Sequence, residues 1–477
     1  MVGETQPRSD PLQTPTQGGW WTWLRIALRG NQEDFTQGNI NRAVFLLAIP
    51  MMIEMLGESL FAVVDAYFVT RLGASALSTV GLTESLLYII YSIAVGLAMA
   101  TTALVARRVG AGDRRRASRG AAQGIAVGIV LAVVLGGIGI ATAPRLLGLL
   151  GASESIVAVG SGYTRIMLGG MVTVMLLFLI NAAFRGAGDA AIAMRALWIA
   201  NMANIILDPC LIFGWGPFPE LGLTGAAVAT TTGRGLGVAY QLWKLFGAGG
   251  RLNPQLLDFV PRWKVVKSLL RMASGGISQN LIATSSWIFL IRIMTRSGED
   301  ALGGYVLAIR IVVFALLPAW GLANAAATLV GQNLGAAQPN RAERSVWRAG
   351  SFNMVFLGSL SLLFFLRPEW VVGIFSPPPA VAQYAVHCLR VLAYGYVFYA
   401  WEMVMVQAFN GAGDTATPTW INLGCFWFFQ IPLAYYLSIV NDWGPAGVFW
   451  AITVSYALSA IVAMTLFRRG AWKSQTV

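Results

Sequence analysis

The chain has 477 residues, of which 56% are hydrophobic and only 11% charged, with a formal net charge of +12. Soluble domains carry roughly 25% charged residues, so a soluble globular protein of this size is excluded. The ~10-residue alternating segments of a membrane barrel are absent as well.

In chain order, residues 1–19 are polar and rich in Pro, Gln and Thr; they are expected to be disordered and lack the pattern of a signal peptide. Trp20 to Arg29 is too short to span a bilayer, and its tryptophans and arginines suit a helix lying at the membrane interface. Twelve mainly apolar runs follow, at 43–70, 78–105, 120–142, 155–184, 191–213 and 221–245, then 264–295, 301–331, 348–368, 378–409, 416–439 and 445–468. Each has the length needed to cross a hydrocarbon core of ~30 Å as a helix, which satisfies its own backbone hydrogen bonds. The expected organisation is an N-terminal tail with an interfacial helix (1–40), a first bundle of six spans (41–245), a basic linker (246–263), a second bundle (264–470) and a short tail (471–477).

The basic residues mark the topology. Arg107, Arg108, Arg114, Arg115, Arg116 and Arg119 share one loop, and Lys244, Arg251, Arg262, Lys264, Lys267 and Arg271 share another. Arg341, Arg344 and Arg348 mark a third, and Arg468, Arg469 and Lys473 end the chain. An even number of spans separates every pair of clusters, whereas the intervening loops hold little beyond Arg71, Arg145, Arg296 and Arg367. This asymmetry places both termini in the cytoplasm and accounts for the charge without nucleic acid.

A shift of 225 residues superposes distant loops: Thr70-Arg71-Leu72-Gly73 on Thr295-Arg296-Ser297-Gly298, and Ala183-Phe184-Arg185-Gly186-Ala187-Gly188-Asp189 on Ala408-Phe409-Asn410-Gly411-Ala412-Gly413-Asp414. Six spans per repeat insert both halves in the same orientation, around an axis along the membrane normal. A cavity between two such bundles is suited to alternating access. Transport is therefore expected before any site is identified.

Charges inside the spans are costly, at roughly 2.5–3.5 kcal/mol for a central Asp on insertion scales, and by default mark function. Glu54, Glu58 and Asp65 fall on one face of the first span at about 100° per residue. Carboxylates buried near other acids are suited to exchanging protons. In the fifth span Asn201, Asn204 and Asp208 precede Pro209, with Asn204 and Asp208 one turn apart. Proline removes a backbone donor and loosens the helix there, as Pro50 does in the first span. An Asn–carboxylate pair with a freed carbonyl suits Na⁺ or a proton relay, and equally a hydrogen-bonded contact between helices.

The second half differs. Leu290 stands opposite Asp65 in the repeat, and Gln430 falls opposite Asp208 once three residues are removed. Glu84 and Glu402 are candidates for lining a cavity, and Tyr88 is one of several aromatics suited to stacking on flat cations. Cys210, Cys388 and Cys425 are scattered and His387 is alone. No disulfide framework, metal centre or enzymatic constellation is expected, and no cofactor.

Together these residues resemble the MATE (multidrug and toxic compound extrusion) family over roughly 40–470. The resemblance rests on Pro50 with Val64-Asp65-Ala66-Tyr67-Phe68-Val69-Thr70-Arg71-Leu72-Gly73, on the two repeated Gly-Ala-Gly-Asp turns, and on Asn204-Ile205-Ile206-Leu207-Asp208-Pro209. It implies a V-shaped pair of six-helix lobes exporting amphipathic organic cations in exchange for H⁺ or Na⁺, without a cofactor. The residues matching its coupling site are Asp65, Asn204 and Asp208, with Thr230 nearby, and this is where Na⁺ would bind. The family branches with a seventh-span glutamate are not matched, because that span offers Gln279 and Asn280; Glu54 and Glu58 are additional to the usual site. The resemblance leads us to expect a multi-pass monomer in the bacterial inner membrane, whose partners are small amphipathic cations and membrane lipids. The alternative is a flippase for lipids or lipid-linked sugars, for which a strongly cationic cavity is expected.

Overall fold

The computed structural model describes residues 20–30, 33–247 and 250–475. The polar stretch 1–19, residues 31–32, linker positions 248–249 and residues 476–477 of the tail lie outside the described residues. Trp20–Arg29 is helical; Trp23 meets Phe45 edge-on, and Arg195 Nη2 donates to Leu28 O at 2.8 Å.

The spans are Ile40–Thr70, Ala74–Gly110, Arg114–Leu149, Glu154–Ala187, Ala190–Phe213 and Leu223–Phe246, then Trp263–Met294, Glu299–Gly335, Pro339–Leu366, Pro379–Ala412, Ala416–Val440 and Pro445–Arg469. Among the described residues, nine helices are long and apolar enough to cross a membrane. The sixth, seventh and tenth spans are as long but carry interior polar positions such as Arg234, Gln279 and Glu402. Several helices outrun the apolar runs predicted for them. The second begins at Ala74 and ends at Gly110, the third starts at Arg114, and the ninth starts at Pro339. Hydropathy detects only the part of a helix that needs lipid, whereas caps decide where it stops. Asp113, for example, caps the third span by accepting from Arg116 N at 2.8 Å. The fourth span is two helical pieces meeting at Gly170, where a Cβ would stand 2.7 Å from Thr231 Oγ1. The eleventh contains two π-helical stretches, Leu423–Gln430 and Tyr436–Val440, flanking Pro432. Proline has no N–H to give, and wide turns accommodate the interrupted ladder.

The duplication is visible in backbone geometry. Gly73 and Gly298, 225 residues apart, have φ of 95° and 96°; Gly188 and Gly413, equally spaced, have 85° and 87°. Gly222 (φ 55°, ψ −133°) matches Gly444 (φ 56°, ψ −136°) three residues short of that spacing. The three-residue deletion inferred for the span before Gly444 is thus carried through to its end.

Spans within each bundle pack in the same pattern: one on five, two on three and four, five on six, and correspondingly seven on eleven, eight on nine and ten, eleven on twelve. Between bundles, the first span packs on the eighth and the seventh on the second. Val44, Leu47 and Met51 therefore belong to the core of the second bundle, and Leu269, Met272 and Ala273 to that of the first. Each bundle lends half a helix to the other. Lipid tails are as apolar as these side chains, so close packing of small residues holds the contacts. At the ends nearest the basic loops the approach is closest. A Cβ on Gly110 would lie 1.9 Å from Gln332 O, and one on Gly335, its repeat partner, 2.0 Å from Arg107 O.

The connections on the basic face are docked. Arg341, which starts the ninth span, donates to the carbonyls of Phe35, Gln37 and Gly38 ahead of the first span, at 3.3, 2.6 and 3.0 Å. The linker turn Leu256–Phe259 is held by Asp258, which accepts from Arg115 Nη1 at 2.7 Å, Arg119 Nε at 3.3 Å and Gln255 N at 2.8 Å. Burial opposes ionisation of Asp258, but the Gln255 amide and both guanidiniums outweigh it and hold the carboxyl below its ordinary range. A depressed carboxylate stabilises the fold fully above the unfolded pKa of about 4 and loses that contribution as pH falls through the folded value. Asp258→Asn is expected to cost on the order of 2 kcal/mol. In thermal melts of detergent-solubilised protein, the gap from wild type should stay constant from pH 8 to about 5 and shrink only below about 4.

Candidate functional site

The carboxylate face of the first span points into the first bundle. Asp208 is fully buried, with Asn204 and Thr230 beside it nearly so. With the Asn204 amide nitrogen facing the carboxylate, it donates to Asp208 Oδ2 at 2.9 Å, and its oxygen accepts from Thr230 Oγ1 at 3.0 Å. Asp65 is close enough to Asp208, Glu84 and Arg234 to interact with them electrostatically. The cluster thus joins spans one, two, five and six. Pro209 lies within the fifth span immediately after Asp208, and Pro50 within the first, one turn before Glu54. Glu84 and Tyr88 lie together on the second span; both are exposed, and Tyr88 hydrogen-bonds Thr284 of the seventh.

Nearer the basic face, Glu54 is 2% exposed and accepts from Asn181 Nδ2 at 3.1 Å, while Asn181 Oδ1 accepts from Gln241 Nε2 at 2.5 Å. Arg185 Nη1 approaches Glu54 Oε1 only to 3.8 Å. Glu58 lies between Arg234 and Asn201, and the Arg234 guanidinium sits 5.7 Å from the Tyr91 ring centroid.

These side chains surround a cavity of about 240 Å³. Glu54, Glu58, Arg185, Asn201 and Arg234 line it from the first bundle, and Trp320 and Asn324 from the second. A neighbouring space of about 130 Å³ reaches into the second bundle past Gln279, Asn280 and Glu402, sharing Val95, Met99, Trp320, Gln407 and Asn410 with the first. Gln279 and Asn410 exchange side-chain hydrogen bonds at 3.1 and 3.2 Å, and Gln279 also donates to Thr415 O at 3.0 Å. Asn280 Nδ2 donates to Ser92 Oγ at 2.9 Å. Glu402 is buried beside Tyr399 and Tyr456. Gln430 is buried in the eleventh span, away from both linings.

The sequence expectation lacks both cavity guanidiniums, Arg234 and Arg185, the latter figuring there only in a turn motif, and also Asn181, which bonds Glu54. The signal for Arg234 was available, since an arginine in the middle of a span is as costly as a carboxylate. The Gly-Arg-Gly setting of Arg234 in a Thr-rich stretch reads superficially as a loop.

The MatE family model matches residues 50–210 and again 277–436, one copy per bundle. The chain belongs to the MatE family. It is 25% identical over 445 residues to a probable multidrug resistance protein NorM of Thermotoga maritima, covering 92% of this chain and 94% of that one. An FAD transporter of Shewanella oneidensis is 26% identical, over 90% of this chain and 95% of its own. A crystal structure of MATE in the straight conformation superposes with a TM-score of 0.87 at 25% identity, over 92% of this chain and 98% of that one. A multidrug resistance MATE transporter of the MOP superfamily in its outward-facing conformation gives 0.86 at 25% identity, over 93% and 98%. The fold is that of a twelve-helix MATE transporter, two parallel six-helix bundles, and the chain is a multi-pass membrane protein.

Proposed function

We propose that this MatE protein is a secondary active exporter of small amphipathic compounds, coupled to H⁺ or Na⁺ moving the opposite way. One observation carries the reading: the Asp208–Asn204–Thr230 cluster is buried about one helical turn from Asn201 and Arg234, which line a cavity shared by both bundles, and the half-buried Asp65 acts electrostatically on Asp208. Its donors are carboxylate, amide and hydroxyl oxygens, a set that takes up a proton or a small hard cation. Ion binding there alters the packing of spans one, five and six, and transport follows if the two access states differ in affinity for ion and substrate. With the basic face cytoplasmic, the glycine contacts at that end correspond to a state closed to the cytoplasm. Relatives named as multidrug resistance proteins support the substrate class. One chain supplies both halves of the cavity, so a monomer suffices.

The test is efflux from proteoliposomes under imposed pH or Na⁺ gradients, with gradient-independent leakage as the result that sinks the reading. Thr230→Val removes one of the two donors to the Asn204 oxygen, the hydroxyl at 3.0 Å, and leaves the Thr230 backbone N–H at 3.1 Å, a loss of about 1–2 kcal/mol. It is expected to raise the half-saturating concentration of the coupling ion about 5- to 30-fold, read from initial rates at varied outside pH or Na⁺. The flippase alternative has less support, because two carboxylates balance the two guanidiniums of the cavity. A lipid-extraction assay on the same vesicles should register no flipping.

A further inference from the structure

Residues 33–38, ahead of span one, form no helix of their own, so their carbonyls need donors from elsewhere. The turn closes on itself through Asp34, which accepts from Thr36 N at 2.9 Å, Thr36 Oγ1 at 2.6 Å and Gln37 Nε2 at 3.2 Å. Its outward carbonyls are taken by two arginines from opposite sides of the seam between the bundles. Arg341, on span nine, takes those of Phe35, Gln37 and Gly38. Arg251 donates to Glu33 O through Nη2, and through Nη1 to Ala187 O at 2.6 Å. Arg251 is fastened to the first bundle: Leu252 lies in that bundle's core, and Asn253 N donates to Ser118 Oγ of span three at 3.1 Å. The segment thus crosses the seam at the basic face.

Phe35 is the side chain it brings to that seam. The ring is 3% exposed and packs in the core that the second bundle builds around the start of span one. Its edge also rests on the first bundle's turn after span four, where a Cβ on Gly188 would stand 2.8 Å from Phe35 Cε2. The Arg251 guanidinium lies 6.0 Å from the ring centroid, at the limit of a cation–π attraction. The repeat separates what is common from what is added. Residues 258–263, 225 positions on, also dock on a third span: Gln123 Nε2 donates to Asp258 O and Val260 O at 2.5 and 2.8 Å. Val260, the counterpart of Phe35, is 57% exposed. Mounting on the third span of a bundle is thus shared by both repeats, whereas the buried ring belongs to the first.

We propose that residues 33–38 are a latch on the closed basic face, with Phe35 as its tongue. Arg341 and the start of span one both travel with the second bundle, so they carry the segment. Parting the bundles at this face draws Arg341 away from Arg251. The contacts that break are those of Phe35 with the Gly188 turn and of Glu33 O with Arg251. The tongue then leaves its seat, and the apolar contact it loses opposes opening. The latch restrains access and is independent of substrate and coupling ion.

The experiment reads the open-to-closed ratio of the purified full chain in nanodiscs, from distances between spin labels near residues 113 and 338. Phe35→Ala is expected to raise that ratio at least about tenfold, a 1.4 kcal/mol difference, and Phe35→Leu should recover part of the closed state. Arg251→Gln keeps the ring, removes the fastening on the first bundle and should shift the ratio the same way. Val260→Ala, at the exposed counterpart, should leave the distances unchanged. A ring that only filled core would lower the melting temperature of Phe35→Ala without moving the distances. With the three native cysteines replaced by alanine, Phe35→Cys should react with a water-soluble maleimide at least about tenfold faster once Arg251→Gln is added. Unmoved distances in Phe35→Ala overturn the proposal, as they do in Arg251→Gln should the first variant not fold. An equal shift in Val260→Ala overturns it too, as does a Phe35→Cys thiol whose reactivity ignores Arg251→Gln. The distances need neither gradient nor substrate, so the efflux reading stands or falls separately.

Discussion

Asp65→Asn and Asp208→Asn are each expected to reduce gradient-driven export by about 5- to 150-fold while leaving a folded protein that still binds substrate. The range is that of a coupling free energy of about 1–3 kcal/mol between two sites. The asparagine side chain fills the same space and hydrogen-bonds, so packing is retained, but it neither takes up a proton nor neutralises Na⁺. Asp208 is the stricter case. It is fully buried, and its one side-chain partner is the Asn204 amide, which a neutral amide at 208 can also satisfy. Asp65 adds charge to the same cluster from the first span and is partly exposed, so some dependence on the gradient should survive its loss. The measurement is initial efflux with and without the gradient, alongside equilibrium substrate binding. If either variant exports like wild type under the same gradient, its carboxylate is not part of the coupling site.

A second large effect is expected from Gly110→Val. The added Cβ would fall 1.9 Å from the Gln332 carbonyl oxygen, a backbone atom with no rotamer to move into, and the γ-methyls enlarge the clash. Overpacking of this kind costs typically 1–3 kcal/mol, here charged only to the state in which the basic ends of spans two and eight touch. The population should shift by roughly 5- to 150-fold toward the state in which those ends separate. Distances between spin labels placed near residues 113 and 338 should lengthen, thiol labelling of the cavity from the basic side should rise, and transport should stall. Gly335→Val, the repeat counterpart, should do the same against Arg107 O, at 2.0 Å. An unchanged distance distribution in both variants would show that this contact does not control access.

Much of this was legible in the sequence because it depends on local geometry. A period of 3.6 placed Glu54, Glu58 and Asp65 on one face, and one helical turn brought Asn204 to Asp208. Glycines that need positive φ recurred at fixed spacing because a turn between two helices has few solutions. The helix ends beyond the lipid were not legible in hydropathy; they follow caps such as Asp113. Nor was the pairing of Arg185 with Glu54 read, although both stood in aligned positions whose counterparts, Asn410 and Gln279, bond to each other. Neither guanidinium stands out in the sequence, because Arg185 belongs to a repeated turn motif and Arg234 to a Gly- and Thr-rich stretch. The lending of half of span one to the second bundle has no periodic signature at all, since any apolar face of small residues suits either neighbour.

That exchange of half-helices constrains how the protein is made. Met51 finds its seat against Gly321, about 270 residues further along the chain, which at about 5–20 residues per second emerges some 15–50 s later. Until then the first span, with its carboxylates, must be kept in the bilayer or the insertion machinery without the neighbour it will finally pack on. The first bundle likewise cannot complete its own core until the seventh span arrives. The two halves are thus repeats in sequence but not separate folding units, and splitting the chain after residue 247 should yield two fragments that are stable only when produced together.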